Sequence, residues 1–246
     1  MDRLIYTAMA GAKHTLEQQA NNSHNLANVS TTGFKAQLDS FRAVPVLGDG
    51  LPTRAFVVDA TTGADMSPGP IQQTGRSLDV AVQGAGWLAV EAADGSEAYT
   101  RAGAFKLNEN GVLQTSTGLN VLGDAGPITV PPDTILSIAS DGTIAGGDAT
   151  SKKGITNNLG RLKLVNPDTA TMTRGDDGLF RAAGGPAEAD ANVRVVGGAL
   201  EGSNVNVVDS MVTMISLARQ FELQMTMLKS AESNAAKAST VMSLSS

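Results

Sequence analysis

The chain contains no cysteine among its 246 residues. Disulfide bonds, cysteine-ligated metal sites and thiol nucleophiles are therefore excluded together. Histidine is scarce as well: His14 and His24 are the two, both lie near the N-terminus, and their spacing does not place them on one face of a helix. The remainder of the chain can therefore form neither a His-based catalytic triad nor a His-ligated metal site.

Aromatic residues, clustered bases and long apolar runs are also lacking. Aromatic residues make up 4% of the chain, with one Trp, so the core must be built from Val, Leu, Ile and Ala. The net charge is −6 and no Lys/Arg cluster occurs, so nucleic-acid binding is not expected. No apolar stretch approaches the roughly 18 residues that span a bilayer. The start, Met1 to Thr7, lacks the features of a cleaved signal peptide, which predicts that any export leaves the N-terminus intact.

The C-terminal segment is predicted to form one long amphipathic helix, since neither Gly nor Pro follows Gly202. Its apolar residues recur at alternating steps of three and four, with one polar position. This heptad seam is Met214, Leu217, Phe221, Gln224, Leu228, Ala231, Ala235, Ala238 and Met242, and a second stripe beside it is Val208, Met211, Ile215, Ala218 and Met225. Because one partner helix cannot cover both stripes, we expect several helices to surround this one.

The N-terminal segment is predicted to form a second amphipathic helix, from about residue 2 to the high twenties. Its apolar residues at helical spacing are Met1, Leu4, Ile5, Ala8, Met9, Ala12, Leu16 and Ala20. Gly33 and the β-branched and turn-forming residues before it end the helix.

The middle of the chain has short alternating runs separated by turn dipeptides, which predicts many short antiparallel strands. Residues 78–83 and 86–91 are predicted strands, and four dipeptides are hairpin signals: Asp94-Gly95, Asn110-Gly111, Asp141-Gly142 and Asp177-Gly178. The predicted fold class is therefore α+β, with long terminal helices packed together in a coiled-coil-like manner and an inserted all-β domain. The expected boundaries are 1–35 for the N-terminal helix, 36–53 for an extended connector, 54–200 for the β domain and 201–246 for the C-terminal helix.

No motif for catalysis or for metal or cofactor binding emerges from the sequence. Asp168, Asp176 and Asp177 lack the spacing of a calcium loop, and Asp-Gly is first a turn signal. Gly84-Ala85-Gly86 lacks the third glycine and the following helix of a dinucleotide fingerprint. We expect no enzymatic activity and no cofactor.

Three groups of motifs resemble the family of bacterial flagellar rod and hook proteins. They occur near both ends and in the middle of the chain, in the family's order. The N-terminal group is residues 18–20 and 25–38, the middle group is residues 68–69, 78–87, 99–105 and 110–111, and the C-terminal group is residues 200–205 and 214–222. The opening residues 1–9 and residues 41–46, 160–165 and 176–181 are most similar to the proximal-rod members. His24 departs from the family's usual Asn.

The resemblance implies a structural protein of the flagellar basal body that is not an enzyme. Members pass unfolded through the flagellar type III export apparatus and polymerise into a hollow helical shaft that crosses the periplasm, with their terminal helices inside and the β domain outside. The implied partners are other copies of the chain, other proximal-rod subunits, the distal-rod protein and the export apparatus. No nucleic acid, cofactor or small-molecule substrate is implied.

Two sets of residues are predicted to matter for this function. The assembly interface is predicted to be Leu4, Ile5, Met9, Leu16, Leu26, Met211, Met214, Ile215, Leu217, Phe221, Met225 and Leu228. The family motif residues are Asn25, Leu26, Ala27, Asn28, Thr32, Gly33, Phe34, Glu201, Gly202, Ser203 and Asn204. The alternative hypothesis is a secreted β-domain binding module or carbohydrate-active enzyme that its helices merely dimerise, although the chain lacks the aromatic cluster typical of sugar binding.

Overall fold

The computed structural model describes residues 2–45, 55–132, 134–148 and 157–244. The chain divides into two compact units. The first, called the terminal unit, comprises residues 1–28, 37–64 and 205–246, and the second, called the β unit, comprises residues 29–36 and 65–204.

The described residues form two α-helices, one 3-10 helix and eighteen β-strands. The helices are α1 (Asp2–Ala27) and α2 (Val207–Leu244), and the 3-10 helix is Thr169–Thr171. The strands are β1 (Gln37–Pro45), β2 (Ala55–Ala64), β3 (Ile71–Gln73), β4 (Val80–Gln83), β5 (Trp87–Glu91), β6 (Glu97–Thr100), β7 (Phe105–Leu107), β8 (Leu113–Thr115), β9 (Leu122–Gly123), β10 (Gly126–Pro127), β11 (Thr134–Ile138), β12 (Thr143–Asp148), β13 (Asn157–Arg161), β14 (Leu164–Val165), β15 (Met172–Arg174), β16 (Phe180–Ala182), β17 (Arg194–Gly197) and β18 (Ala199–Glu201).

In the terminal unit, α1 and α2 pack against each other in antiparallel orientation. Thr15 near the middle of α1 donates a hydrogen bond to the Gln224 side chain (3.2 Å), and Asn22 further along α1 donates to the Ser210 carbonyl near the start of α2 (2.7 Å). Gly11 permits this approach, since a Cβ atom there would lie 3.2 Å from the Gln224 amide nitrogen. Gln224, the polar position of the predicted seam, thus bonds to the facing helix.

A long antiparallel strand pair, β1 with β2, completes the terminal unit. Gln37 lies opposite Ala64 and Pro45 opposite Ala55, with a register shift between Ser40 and Phe41. The predicted connector, residues 36–53, therefore contains a paired strand up to Pro45, and residues 46–53 of it lie outside the described residues.

The β unit is built on a five-stranded antiparallel sheet with the order β14-β5-β6-β16-β15. The other strands of the β unit form sheets of two or three strands. The main core cluster comprises Val80, Val82, Leu88, Phe105, Leu113, Val121, Ile128, Val130, Leu136, Ile138, Ile144, Leu162, Leu164, Val193 and Val195, all of them buried. Burying each such side chain stabilises the fold by about 1.5–3 kcal/mol relative to exposure, and aliphatic residues dominate the cluster.

The four predicted hairpin signals are confirmed as turns. Gly95, Gly111, Gly142 and Gly178 all have left-handed backbone conformations, with φ between 74° and 85°. They connect the antiparallel pairs β5–β6, β7–β8, β11–β12 and β15–β16. In each turn the preceding Asp or Asn tolerates the tight geometry that its glycine requires.

The predicted fold class is wrong in its balance of helix and strand. In the ranges that the structure describes, two α-helices stand against eighteen strands in seven sheets, so the chain is mostly β rather than a helix-rich, coiled-coil-like α+β protein. One physical reason for the larger share of strand is the β1–β2 pair. The backbones of these two strands pair over nine residue positions, so the terminal unit contains strands as well as helices. Neither described helix is long and apolar enough to cross a membrane.

Candidate functional site

A buried ion cluster in the β unit joins residues from the two sequence ends of that unit. The ammonium group of Lys35 lies 2.7 Å from one carboxylate oxygen of Glu201, and the guanidinium of Arg101 lies 2.8 Å from the other. The exposed fractions of Lys35, Glu201 and Arg101 are 1%, 1% and 4%. The cluster carries one negative and two positive charges, so Glu201 is the single counter-charge for both cations within it.

Backbone groups add further bonds to the ion cluster, although the Nε atom of Arg101 is buried without a hydrogen-bond partner among the described residues. Lys35 also donates to the Ser67 carbonyl (2.7 Å), and the Gly69 N–H donates to Glu201 (3.0 Å). Arg101 donates to the Gly84 carbonyl (2.8 Å) and lies over the indole ring of Trp87, 5.2 Å from its centroid. Burial is the main influence on Lys35 and lowers the pKa of its ammonium group, and the bond to Glu201 opposes this shift.

The side-chain amide of Asn204 binds two other backbone segments of the β unit. It accepts a hydrogen bond from the Ala36 N–H (2.7 Å) and donates one to the Asp65 carbonyl (2.9 Å). The Asp65 N–H in turn donates to the Ala36 carbonyl (2.8 Å). The side-chain amide of Asn204 therefore forms hydrogen bonds like those of a backbone amide, and it links three separate stretches of chain.

The turn at Gly33 brings the first of these stretches against other residues of the β unit. Gly33 has a left-handed φ of 69°, and its N–H donates to the Glu201 carbonyl (2.8 Å). A Cβ atom at this position would lie 2.3 Å from the Ala102 nitrogen, which is too close for any side chain. The next residue, Phe34, is buried, and the guanidinium of Arg174 lies 4.8 Å from its ring centroid.

Most of the family motif residues after residue 31 thus meet in one place. Gly33 and Phe34 contact the stretch that contains Glu201 and Asn204, Gly202 donates its N–H to the Pro70 carbonyl (2.8 Å), and Ser203 is buried. Thr32, in the turn before Gly33, is half-buried. Because the charged and polar groups are buried and bonded to fixed neighbours, this arrangement suits structural fixation rather than catalysis.

The earlier motif residues lie in the terminal unit and do not share that place. Asn28 is at the C-terminus of α1, where its side chain donates to the His24 carbonyl (2.9 Å). Asn25 accepts from the N–H of Gln37 (2.8 Å) and donates to its carbonyl (2.9 Å), which fixes the start of β1 to α1. Leu26 is half-buried and Ala27 is exposed.

The predicted interface residues of α1 differ in exposure. Met9 and Leu16 are exposed, as is the neighbouring Tyr6, whereas Ile5 and Leu26 are half-buried. The side chain of Leu4 lies outside the described residues. Two of the predicted α1 positions therefore present apolar surface to solvent.

The predicted interface residues of α2 separate into two faces. Leu217 is buried, and Met214, Phe221 and Leu228 are half-buried, so these seam residues serve packing within the terminal unit. The exposed face carries Met211, Ile215 and Met225. Five further exposed apolar residues of α2 were not predicted as interface: Val207, Val208, Val212, Leu223 and Met227. We call the exposed residues Val208, Val212, Ile215 and Leu223 the outer stripe. A shallow groove along it is lined by Val212, Ile215, Ser216, Arg219, Gln220 and Leu223.

Sequence reasoning missed the charged partners in the β unit. Lys35 and Arg101 lie within the motifs that resemble the family, but the sequence assigns no role to either. The one available signal was the occurrence of two bases and one acid inside otherwise uncharged motif stretches. In the described ranges, no three His, Asp or Glu side chains come together in a way that could hold a metal ion.

Comparison with known proteins relates both units to flagellar proteins. Residues 81–146 match the family model described as "Flagellar hook protein FlgE/F/G D1 domain", and residues 196–241 match "Flagellar basal body rod FlgEFG protein C-terminal". The chain is 50% identical over 252 aligned residues to the flagellar basal-body rod protein FlgF of Escherichia coli (strain K12), and 47% identical to FlgF of Salmonella typhimurium, with both chains fully covered in each case. It is 31% identical to the rod protein FlgG of Buchnera aphidicola subsp. Schizaphis graminum, covering 82% of this chain and 85% of that protein.

Proposed function

Because the chain belongs to the FlgF family of flagellar basal-body rod proteins, we propose that it polymerises through the exposed apolar surfaces of its terminal helices. The family is structural and is not a class of enzymes, so the chain is a structural subunit of the basal-body rod. The alternative of a carbohydrate-active enzyme is accordingly set aside.

The observation that carries the proposal is the outer stripe of α2. Ile215 is 58% exposed and Leu223 is 66% exposed, although both are large apolar side chains on a helix whose opposite face is packed. From Val208 to Leu223 the stripe extends about 22 Å along the helix at 1.5 Å per residue. An apolar surface of this kind marks a protein contact, and exposed Met9 and Leu16 on α1 offer a second apolar surface.

Repeated contacts of this kind lead to a filament. If the outer stripe of one copy packs against a different surface of the next copy, the interface is heterologous, and a heterologous interface that does not close produces an open helical assembly. In this proposal, α1 and α2 make the contacts between subunits, and the β unit stays outside these contacts. The assembly is the hollow proximal rod, which transmits torque and serves as a conduit for export.

The proposed partners follow from the same assembly. They are other copies of the chain, other proximal-rod subunits, the distal-rod protein and the flagellar type III export apparatus. We propose that this apparatus delivers the chain without cleavage of a signal peptide and that the rod crosses the periplasm. These partners were expected from the sequence resemblance, and the family membership supports them.

The outer stripe can be tested by placing charge on it. In cells that lack the wild-type chain, the double variant Ile215→Asp and Leu223→Asp should abolish rod assembly and motility, because two carboxylates would be desolvated at the contact. Since both residues are exposed, the isolated variant should keep its stability within about 0.5 kcal/mol, as is usual for surface substitutions. Circular dichroism and electron microscopy of basal bodies measure the two outcomes.

Thr213→Asp is the matched control, because Thr213 is exposed on α2 outside the outer stripe. This variant should assemble rods and support swimming. Motile cells carrying the double variant, with rods that contain it, would contradict the proposed interface.

A further inference from the structure

The chain passes between the two units at four places, so segments of the β unit begin or end at residues 29, 36, 65 and 204. Three of these residues, Ala36, Asp65 and Asn204, meet at the Asn204 side chain. The incoming segment, residues 29–36, leaves the β unit after Ala36, the chain returns at Asp65, and the outgoing segment, residues 199–204, leaves after Asn204. Asn204 binds Ala36 and Asp65 through its side chain. Lys35 and Glu201 add an ion pair directly beside these bonds.

The incoming and outgoing segments run in the same direction. Gly33 donates its N–H to the Glu201 carbonyl (2.8 Å), and further along both segments Asn204 donates its N–H to the Phe34 carbonyl (3.3 Å). The outgoing segment is also held on β3, where Glu201 lies opposite Ile71. The incoming segment is therefore bound to a strand that is itself part of a sheet.

We propose that Lys35, Glu201 and Asn204, with the backbone bonds between the two segments, form a mechanical clamp that carries load across the β unit. We call these three residues the clamp. Force that reaches the β unit through its covalent connections enters at residues 29, 36, 65 or 204. The clamp lies where three of these connections meet, so it is loaded before the apolar core.

The parallel direction of the two segments decides how the clamp is loaded. A pull on the start of the incoming segment and on the end of the outgoing segment draws the two in opposite directions along their length. The bonds between them are then sheared and share the force, instead of opening one after another. Burial strengthens this resistance, because water cannot readily replace the bonds of Lys35 and Glu201 as they stretch.

This inference rests on the proposed function only for the source of the load, which is the torque carried by a rod subunit. The clamp itself is tested on the isolated full-length chain. The two can therefore fail separately: rod assembly and motility of the Ile215→Asp and Leu223→Asp double variant would remove the rod proposal, whereas equal mechanical resistance in all directions would remove the clamp.

Single-molecule pulling with optical tweezers provides the test. The chain has no cysteine of its own, so the handles attach only to the two cysteines that are introduced in each variant. The pair Ser30→Cys and Val208→Cys loads the two segments in shear, and both positions are exposed. The control pair Ala93→Cys and Glu188→Cys, also exposed, pulls on the β unit at positions outside the clamp.

We expect the first handle pair to give a higher rupture force than the second. Lys35→Met, which keeps the apolar stem and removes the charge, should lower the force for the first pair and leave the force for the second pair unchanged. If Lys35→Met does not fold, as judged by Trp87 fluorescence, Asn204→Ala replaces it, because this change removes the amide bonds and leaves the ion cluster intact. Equal rupture forces in the unmodified background, or equal losses through both handle pairs, would overturn the clamp and indicate a general effect on stability.

Discussion

At the scale of the residue, Glu201 is the side chain on which the β unit depends most directly. Glu201→Gln keeps the shape of the side chain but leaves Lys35 and Arg101 buried without a counter-charge. We expect the free energy of unfolding to fall by about 3–5 kcal/mol, as is typical when one partner of a buried ion pair is removed. Urea denaturation followed by fluorescence of Trp87, the single tryptophan, reports on this unit.

Glu188→Gln is the control for that measurement, because Glu188 is exposed. Its effect should stay within about 0.5 kcal/mol. Similar stabilities of Glu201→Gln and Glu188→Gln would show that the ion cluster adds little to the fold.

The surface ion pair between Asp177 and Arg181 makes a smaller contribution to stability, and this contribution depends on pH. Asp177 accepts two hydrogen bonds from Arg181 (2.7 and 3.1 Å), and these lower the pKa of Asp177 from its usual value of 3.8. Because the folded-state pKa is the lower one, the stabilisation is present above pH 3.8 and is lost as the pH falls through the folded-state value. Asp177→Asn should remove about 0.2–1 kcal/mol of this acid-sensitive stability, since the pair is partly exposed and screened.

The measurement compares urea midpoints of the wild type and Asp177→Asn at neutral pH and at a pH below the folded-state pKa of Asp177. Asn can still accept the turn hydrogen bond that Asp177 accepts from the Leu179 N–H (3.0 Å). The two proteins should differ at neutral pH and converge in acid. A constant difference at both pH values would contradict the assigned cause.

Single residues were the hardest feature to predict from the sequence. The motif pattern pointed to Gly33, Glu201 and Asn204 but gave no roles, because Lys35 and Glu201 are 166 residues apart and no local spacing relates them. Asn204 precedes α2 closely, where Asn is typical of a helix cap, yet its side chain bonds to Ala36 and Asp65. By contrast, Asn206 does cap α2, accepting from the Val208 N–H (3.0 Å), since that role depends on neighbours in sequence alone.

At the scale of the element, the turn between α1 and the incoming segment requires glycine. Gly33→Ala should cost at least about 1–2 kcal/mol for the left-handed conformation alone. A further cost arises because the backbone of Arg101 and Ala102 must move to make room for the Cβ atom. Differential scanning calorimetry should show a clear decrease in the melting temperature of the β unit.

Gly184→Ala is the matched substitution, because a Cβ atom there would meet no atom within 4 Å. Its melting temperature should remain close to that of the wild type. If Gly33→Ala behaves in the same way, the close approach of this turn to residues 101 and 102 is not a requirement of the fold.

Elements with local signals were predictable, and pairings between distant segments were not. The turn glycines are recognisable because each follows an Asp or Asn and precedes a strand. The paired strand β1 was predicted only as an extended connector, although Asp49-Gly50, between β1 and its hydrogen-bond partner β2, is a hairpin signal of the same kind as the other four. This pairing is part of why the helix-rich fold class was wrong. The same difficulty applied to α2, where Leu217 and Ile215 were assigned to one interface although the structure buries the first and exposes the second.

At the scale of the whole molecule, the ion cluster lies within the β unit and requires nothing from α1. A variant that lacks residues 1–28 should therefore keep the unfolding free energy of the β unit unchanged. A variant that lacks residues 1–36 should be less stable, because it also loses Lys35 and the buried Phe34. Urea denaturation of both, followed by Trp87 fluorescence, distinguishes them, and equal stabilities would contradict this division.

The distance in sequence between Lys35 and Glu201 also determines the order in which the charged residues of the ion cluster become available for folding. When the chain becomes available from its N-terminus onward, Lys35 and Arg101 appear long before Glu201, and burying either cation without its counter-charge is unfavourable. The β unit can therefore close only after residue 201 has arrived, and closure over such a separation slows folding. A subunit that travels N-terminus first stays open until most of its length has passed.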